Sequence, residues 1–195
     1  MKRILFVCTG NTCRSPMAEA MLRRFAEQSG LPLEVRSAGL AAMEGMPMSN
    51  YSSSILMENN ITANSIAQKV DEQLVDWADL ILAMTMNHKR EMIQRYPAAL
   101  EKTFTLKEYV ADESEGSAEV AELAEMEKLV VELQLRKSLS QDLRDEDKQK
   151  LVEFMRKAPN YDIADPFGGE LWHYRQCYEE IERSLAKLLD KLKTP

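Results

Sequence analysis

Short apolar runs alternate with amphipathic stretches along the first half of the chain, and no other feature restricts the fold as strongly. The first run, Lys2–Val7, is continuously apolar after its two basic residues, as expected of a strand that is buried on both faces. Such strands belong to parallel sheets that helices cover. We therefore predict an α/β fold with a four-stranded parallel sheet and helices on both faces. The other predicted strands are Leu33–Ala38, Asp79–Met84 and Thr103–Leu106.

The final part of the chain has the clearest helical period. Apolar residues recur there at spacings of three and four, which places them on one face of a helix. The stripe could form the seam of a coiled coil, but packing on the sheet is the interpretation we prefer. It consists of Leu171, Tyr174, Tyr178, Ile181, Leu185, Leu188 and Leu192.

Residues 112–157 interrupt the alternation of strands and helices. This segment is rich in Glu, Lys and Leu, shows no strand pattern, and contains 13 acidic and 8 basic residues. Leu123, Met126 and Val130 follow a helical face. We interpret 112–157 as a charged helical insertion within a single domain that covers 1–195. It could cap an active site, dock a partner or only decorate the fold.

Charge and cysteine usage argue against several classes of function. A net charge of −7 argues against nucleic acid as the main partner, because a phosphate backbone requires a basic face. Cys8, Cys13 and Cys177 are too few for a disulfide scaffold, and no C-x-x-C pair that would suggest structural zinc occurs in the sequence. The five-residue apolar run at the start is too short for a signal peptide or a membrane span. We expect a cytoplasmic protein without a metal or a membrane partner.

The segment Cys8–Ser15 carries the clearest chemical signal. It has the pattern C-x5-R-S and lies between a buried strand and the start of a predicted helix. Backbone N–H groups in such a loop converge on an anion, and the helix terminus adds a positive dipole. Arg14 supplies a planar, two-pronged donor for phosphate oxygens. The same positive surroundings favour the thiolate of Cys8, which makes it a candidate nucleophile.

The remaining residues of this loop have supporting roles in the prediction. We expect Ser15 to cap the helix, with Pro16 in its first position, and to donate to the Cys8 sulfur. Gly10 should permit a backbone shape that a Cβ atom would obstruct. A nucleotide-binding P-loop is excluded because G-x-x-x-x-G-K-[ST] is absent from the sequence. The alternative is a buried strand-end cysteine with a surface arginine.

Several motifs in order carry a family resemblance. The segments CTGNTCRSPMAEA, RSAG, DLILAMT, FTLKEYV and DPFGG resemble the low-molecular-weight protein phosphatase family, and within it the bacterial protein-arginine-phosphatase branch. The resemblance covers about Met1–Val110 and Pro159–Leu192. It implies a flavodoxin-like sheet, phosphorylated proteins as partners, and hydrolysis through a cysteinyl-phosphate without a cofactor.

The resemblance also implies roles for individual residues. Asp165, in the DPFGG motif, would protonate the leaving group and later activate water. Thr12 would select phosphoarginine, because phosphotyrosine members usually have an aliphatic residue at this position. A protein-tyrosine-phosphatase remains the alternative function. The residues expected to bind the substrate are Thr9, Gly10, Asn11, Thr12, Cys13 and Ser15.

Other residues receive structural or doubtful roles. The family implies that Asn11 holds the loop through its side chain, with Ser37 as a partner. Cys13 resembles a second loop cysteine that can bond Cys8 under oxidation, or it is a small buried filler. Phe167 replaces a tyrosine common in animal members, so phosphorylation there is in doubt and an apolar wall is the remaining role. We expect Cys177 to be inert.

Three further interpretations are disfavoured. Neither His88 nor His173 has a triad partner, so each is expected to be solvated or a capping residue. An arsenate reductase would need resolving cysteines in the middle of the chain, and none lies between Cys13 and Cys177. A non-catalytic phosphoprotein-binding module would usually have lost the nucleophile or the acid.

Overall fold

The structure is a computed structural model that describes residues 2–111, Gln149 and residues 159–193. Its centre is a sheet in which every pair of neighbouring strands is parallel. The strand order is β2-β1-β3-β4, which is the order of a flavodoxin-like fold. The predicted four-stranded parallel sheet is therefore confirmed. The strands are β1 (Lys2–Cys8), β2 (Leu33–Gly39), β3 (Leu80–Ala83) and β4 (Thr103–Thr105).

The helices follow the predicted alternation closely. Two short elements were not predicted, the 3-10 helix and α5, and Leu106 begins α5 instead of ending a strand. Both elements lie at the edge strand, where the apolar run is too brief to separate a strand from a helix. The helices are α1 (Arg14–Ser29), α2 (Asn50–Glu58), α3 (Glu72–Trp77), α4 (Met86–Arg95), a 3-10 helix (Pro97–Lys102), α5 (Leu106–Val110) and α6 (Leu171–Lys193).

Helices cover both faces of the sheet. Ile4 and Phe6 of β1 point into a core cluster that includes residues of α1 and α6. Leu5 and Val7 point the other way, into a cluster with residues of α3 and α4. Successive side chains of a strand alternate between faces, so a strand between two helical layers must be apolar throughout. The stripe predicted for the last helix packs into the first cluster, which confirms that it faces the core.

The start of α1 differs from the prediction. Ser15 is not the N-cap, since the helix begins at Arg14 and the capping position belongs to Cys13, whose side chain makes no capping bond. The hydroxyl of Ser15 contacts the sulfur of Cys8 instead. The other end agrees with the sequence: Gly30 ends the helix with a left-handed φ of 65°, which glycine adopts without strain.

These elements form one compact unit, Met1–Val110 together with Tyr161–Pro195, and Ala111–Asn160 is a second unit. The predicted insertion, 112–157, lies outside the described residues except for Gln149. Its helices and its role therefore stay predictions. Within residues 2–111 and 159–193, no helix is long and apolar enough to cross a membrane.

Candidate active site

Cys8 is the last residue of β1, an interior strand of the sheet. Ligands of open α/β sheets bind at the carboxyl ends of the strands, where Cys8 lies. Two backbone bonds tie this point to the segment after β2: Leu40 N–H donates to Cys8 O and Ala41 N–H donates to Thr9 O, each at 2.9 Å. The fold thus fixes the start of the loop Cys8–Ser15, which we call the phosphate loop.

Two donors face the sulfur of Cys8. The Ser15 hydroxyl lies 2.9 Å from Sγ, and the backbone N–H of Asn11 donates to Sγ at 3.2 Å. Ser15 Oγ also accepts from the side-chain amide of Asn11, and its own proton has two acceptors within reach, the sulfur at 2.9 Å and Ala38 O at 3.5 Å. Both groups are therefore placed to stabilise negative charge that develops on the sulfur. Ser15 therefore contacts the nucleophile as predicted, although it does not cap the helix.

Asn11 holds the loop in an uncommon backbone conformation. Its φ is 55°, in the left-handed region that asparagine tolerates better than most residues. The side chain is 1% exposed and satisfied on both sides: Oδ1 accepts from Gln68 N–H, while Nδ2 donates to Ser15 and Ser37. Ser37 in turn donates to Glu19. The structure thus brings Asn11 and Ser37 together, as the family resemblance implied.

The glycine that the loop needs most is not the one that was predicted. A Cβ atom on Gly10 would meet nothing nearer than Thr12 Oγ1, at 3.6 Å, which is an ordinary contact. A Cβ atom on Gly39 would lie 2.5 Å from Thr9 O and 2.9 Å from Asn11 N. The expected obstruction therefore exists at the end of β2 and not within the loop. The RSAG motif contained this signal, but only the spatial pairing of Cys8 with Gly39 explains it.

Arg14 and Asp165 form an ion pair beside the loop. Arg14 Nη2 donates to Asp165 Oδ2 at 2.6 Å, although the two residues are far apart in sequence. The arginine side chain is 5% exposed and the carboxylate 52%, so a buried cation meets an acid that faces solvent. Arg14 Nη1 also donates to Ile163 O at 3.4 Å. The predicted nucleophile loop and the predicted acid are thus joined through Arg14.

The segment Asp162–Glu170, which we call the acid loop, is anchored through both backbone and side chains. Ile163 N–H donates to Met84 O at 2.8 Å, directly after β3. Asp162 Oδ1 accepts from Met86 N–H at 2.7 Å, at the start of α4. Asp165 Oδ1 accepts from Phe167 N–H within the loop. These bonds place the carboxylate at the same edge of the sheet as Cys8.

The turn after Asp165 uses both of its glycines, because a Cβ atom on Gly169 would lie 2.7 Å from Nδ1 and 2.9 Å from Cγ of the His173 ring. Gly168 has a φ of 77°, a conformation in which a side chain would be strained. Gly169 N–H donates to Pro166 O at 3.0 Å, which closes the turn before α6. His173, in the first turn of α6, accepts from Glu170 N–H through Nδ1 and stacks on Trp172. It is therefore a capping residue, as predicted.

A cleft of about 430 Å³ opens beside the ion pair. It is lined by residues of the phosphate loop, the start of α4 and the acid loop, among them Thr9, Arg14, His88 and Asp165. Ligand sites are concave and carry a few convergent polar groups. This cleft therefore provides space for a group that is bound by Arg14 and approached by Asp165.

His88 differs from its prediction. Its backbone N–H is capped by the Thr85 hydroxyl, but its ring is buried, with the residue only 7% exposed. Burial, and secondly the positive charge of Arg14, lower the pKa of His88 from 6.5 to about 4. The sequence offered no sign of this, because its ring contacts Thr9, which is distant in the chain.

The other predicted site residues lie around the phosphate loop. Thr12 is half-buried, its Oγ1 lies 3.6 Å from Cys13 Sγ, and its carbonyl accepts from Ser49 N–H. Cys13 Sγ lies 3.6 Å from the hydroxyl of Tyr174. All three cysteines are free thiols, so a Cys8–Cys13 bond stays a prediction. Burial raises the pKa of Cys177 to about 12, which agrees with an inert thiol.

Two further observations complete the description of the site. Phe167 is 79% exposed and lies two residues after Asp165, at the rim of the site. Among the residues described, no group of three or more His, Cys, Asp or Glu side chains could hold a metal ion. The polar side chains that line the cleft include Arg14, His88, Glu91, Asp162 and Asp165.

Known proteins resemble this chain over its length. Residues 3–132 match the family described as low molecular weight phosphotyrosine protein phosphatase. A protein-arginine-phosphatase of Geobacillus stearothermophilus is 36% identical over 193 residues, which cover 98% of this chain and 97% of that protein. The low molecular weight protein-tyrosine-phosphatase PtpB of Staphylococcus aureus is 35% identical over 188 residues, covering 96% and 97%.

A solved structure agrees with the sequence relatives. The YwlE arginine phosphatase from Geobacillus stearothermophilus aligns with a TM-score of 0.71 at 35% identity, and the alignment covers 100% of this chain and 94% of the other. The resemblance predicted from the motifs, and the fold that it implied, are confirmed. The chain belongs to the low molecular weight phosphotyrosine protein phosphatase family.

Proposed function

We propose that this chain is a cytoplasmic protein-arginine-phosphatase that hydrolyses phosphoarginine in proteins through a cysteinyl-phosphate intermediate. The observation that carries the proposal is the arrangement at the end of β1. Two donors face the Cys8 sulfur, and Arg14 in the same loop holds Asp165 at 2.6 Å. A nucleophile, a phosphate-binding cation and an acid–base group therefore lie at one edge of the sheet.

The first step transfers the phosphoryl group to Cys8. The thiolate attacks phosphorus, the P–N bond to the guanidine breaks, and Asp165 donates a proton to the departing nitrogen. Arg14 and the loop N–H groups stabilise the charge on the three phosphoryl oxygens. The guanidinium of Arg14 has to exchange Asp165 Oδ2 for a phosphoryl oxygen, which leaves the carboxyl group able to serve the leaving group.

The second step releases phosphate and restores the thiolate. Water attacks phosphorus, Asp165 accepts a proton from that water, and the S–P bond breaks. The Cys8 sulfur leaves as a thiolate that is stabilised by the Ser15 hydroxyl and the Asn11 N–H. One carboxyl group thus acts as acid and then as base, and no cofactor is required.

The choice of phosphoarginine depends on polar groups around the leaving group. A guanidine has several N–H donors that need acceptors in a partly desolvated cleft. Asp165 donates its proton through one oxygen and can accept from a neighbouring N–H of the guanidine with the other, and the hydroxyl of Thr12 adds a polar surface on the loop. The arginine-phosphatase relative, 36% identical over nearly the whole chain, supports the same choice.

A protein-tyrosine-phosphatase is the second candidate, and Phe167 favours it. The ring of Phe167 is 79% exposed beside Asp165, where it could pack against the ring of a phosphotyrosine. The PtpB relative, named a tyrosine phosphatase, is 35% identical. The two candidates share the nucleophile and the acid, so they differ only in how the leaving group is held.

The test is a comparison of kcat/KM on an arginine-phosphorylated protein and a phosphotyrosine peptide. We expect a higher value for phosphoarginine, and a preference for phosphotyrosine would overturn the proposal. Thr12→Val keeps the shape of the side chain and removes its hydroxyl. It should shift the ratio of the two kcat/KM values toward phosphotyrosine by about fivefold, the effect of losing one modest hydrogen bond. An unchanged ratio would remove Thr12 from the explanation.

A further inference from the structure

The ring of His88 is buried between two hydroxyl groups. Its Nε2 lies 2.8 Å from Thr9 Oγ1 and its Nδ1 lies 2.9 Å from Thr85 Oγ1. A buried imidazole is tolerated when both of its nitrogens have partners. Both are satisfied here, so the ring is held in one orientation.

Only one of the two contacts belongs to the helix itself. Thr85 is the N-cap of α4, and its hydroxyl accepts from His88 N–H as well as contacting the ring. Thr9, by contrast, belongs to the phosphate loop, on a different element. Helix capping therefore explains the Nδ1 contact and leaves the contact between Nε2 and Thr9 without a local purpose.

Thr9 faces the cleft in which the leaving group has to lie. Thr9 lines this cleft together with Asp165. A general acid has to lie within hydrogen-bond reach of the departing atom, so a leaving group that is protonated by Asp165 occupies the same cleft as Thr9. Thr9 Oγ1 has two lone pairs, and the ring uses at most one of them whichever of its nitrogens carries the proton. At least one lone pair is thus available to an N–H group in the cleft.

We propose that His88 is a positioning residue that holds the Thr9 hydroxyl toward the guanidine of phosphoarginine, making Thr9 a specificity determinant in addition to Thr12. This inference rests on the proposed function, because an aryl leaving group has no N–H to donate. A free threonine side chain would sample several rotamers, and the bond to His88 selects one.

The charge of the ring is consistent with this role. Arg14 acts with burial to keep His88 neutral, whereas Asp165, Glu91 and Asp162 act in the opposite direction and are outweighed. The leaving group becomes a guanidinium cation when it is protonated. A neutral imidazole behind Thr9 does not repel that cation, while an imidazolium would.

A matched pair of substitutions separates the two contacts of the ring. The amide of Gln extends about as far from Cα as Nε2 of histidine, while the amide of Asn extends only to the position of Nδ1. His88→Gln can therefore still contact Thr9, and His88→Asn can contact Thr85 alone. We expect His88→Gln to remain within about threefold of the wild type in kcat/KM for phosphoarginine, and His88→Asn to lose about tenfold.

A double-mutant cycle tests whether His88 acts through Thr9. Thr9→Val should also lower kcat/KM for phosphoarginine by about tenfold and that for a small aryl phosphate by less than about twofold. The double variant Thr9→Val with His88→Asn should lose no more than either single variant, because both remove one interaction. Thr103→Val serves as the control. It removes a hydroxyl of β4 that donates to Ala99 O in the 3-10 helix, and it should leave the ratio of the two kcat/KM values unchanged.

Three results would overturn the inference: losses that multiply to about a hundredfold in the double variant, equal losses on both substrates, or equal activity of the Gln and Asn variants. If the His88 variants do not fold, Thr9→Val alone still tests the substrate ratio, because Thr9 is exposed. A wrong proposed function is recognised separately, since the wild type would then prefer phosphotyrosine before any substitution is made.

Discussion

In the proposed mechanism the phosphate loop and the acid loop serve one reaction, but the two loops are built differently. The phosphate loop is buried, and its own side chains hold it through hydrogen bonds. Cys8, Asn11, Arg14 and Ser15 are each no more than 4% exposed. The acid loop leaves its functional group in solvent, with the Asp165 carboxylate 52% exposed. The difference fits two tasks: a nucleophile needs hydrogen-bond donors in fixed positions, whereas an acid has to exchange its hydrogen-bond partners during the reaction.

Preorganisation of the phosphate loop has a physical reason. Donors that already point at the sulfur do not have to reorient when negative charge develops on it as the S–P bond breaks, so they stabilise that transition state more than mobile water can. In the proposed mechanism Asp165 instead has to leave Arg14, protonate the leaving group and then accept a proton from water. A fully buried carboxylate fixed on Arg14 could not perform those three steps in sequence.

The largest effect should come from a substitution in the buried phosphate loop. Cys8→Ser replaces the sulfur with a poor nucleophile while Arg14 and the loop amides stay in place. We expect turnover to fall by about 10⁴-fold or more, while inorganic phosphate still binds within about threefold of the wild type. Steady-state assays and calorimetric titration with phosphate measure the two quantities. Substantial turnover by this variant would mean that another residue is the nucleophile.

The next largest effect should come from a substitution in the acid loop, whose carboxylate is exposed. Asp165→Asn removes the proton donor, and we expect kcat to fall by about 10²- to 10³-fold with a poor leaving group. The loss should be much smaller with an activated aryl phosphate, whose leaving group departs without a proton. A comparison of kcat on the two substrates provides the measurement. Equal losses on both would show that Asp165 acts through Arg14 and not as an acid.

A third comparison concerns stability at the two turns. Asn11→Gly keeps the positive φ but removes the three side-chain bonds to Gln68, Ser15 and Ser37. We expect the free energy of unfolding to fall by about 2–3 kcal/mol. Gly168→Ala in the acid loop removes no bond and adds only backbone strain of about 1 kcal/mol. Urea unfolding of both variants gives the comparison, and equal losses would contradict the idea that the side-chain bonds of Asn11 stabilise the fold more than the glycine at position 168 does.

The same contrast explains what could be predicted from the sequence. The phosphate loop is contiguous, and its strand, turn and helix signals lie within the first 29 residues, so its position at the end of β1 followed from local patterns. The roles of Gly39 and of the His88 ring could not be predicted from local patterns, because they arise from contacts with Thr9 that form only in the folded chain.

Asp165 is the intermediate case. It lies 151 positions after Arg14, and nothing in its local pattern distinguishes Asp-Pro from an ordinary turn. The motif DPFGG identified it through the family resemblance, and the ion pair with Arg14 supplies the physical reason. Sequence patterns report local geometry well, whereas a residue whose role depends on a distant partner requires either a relative or a fold.

The smallest expected effect concerns His88, which contacts the phosphate loop from α4. Its pKa is lowered to about 4 in the folded protein, so the unfolded chain, with an ordinary value near 6.5, binds a proton more readily. Stability from this group is complete above about pH 6.5 and is lost as the pH falls toward 4. His88→Gln cannot titrate, and its free energy of unfolding should fall less between pH 7 and pH 5, by about 1–2 kcal/mol. Urea unfolding at the two pH values measures the difference, and parallel losses in both proteins would mean that folding does not lower the pKa of the ring.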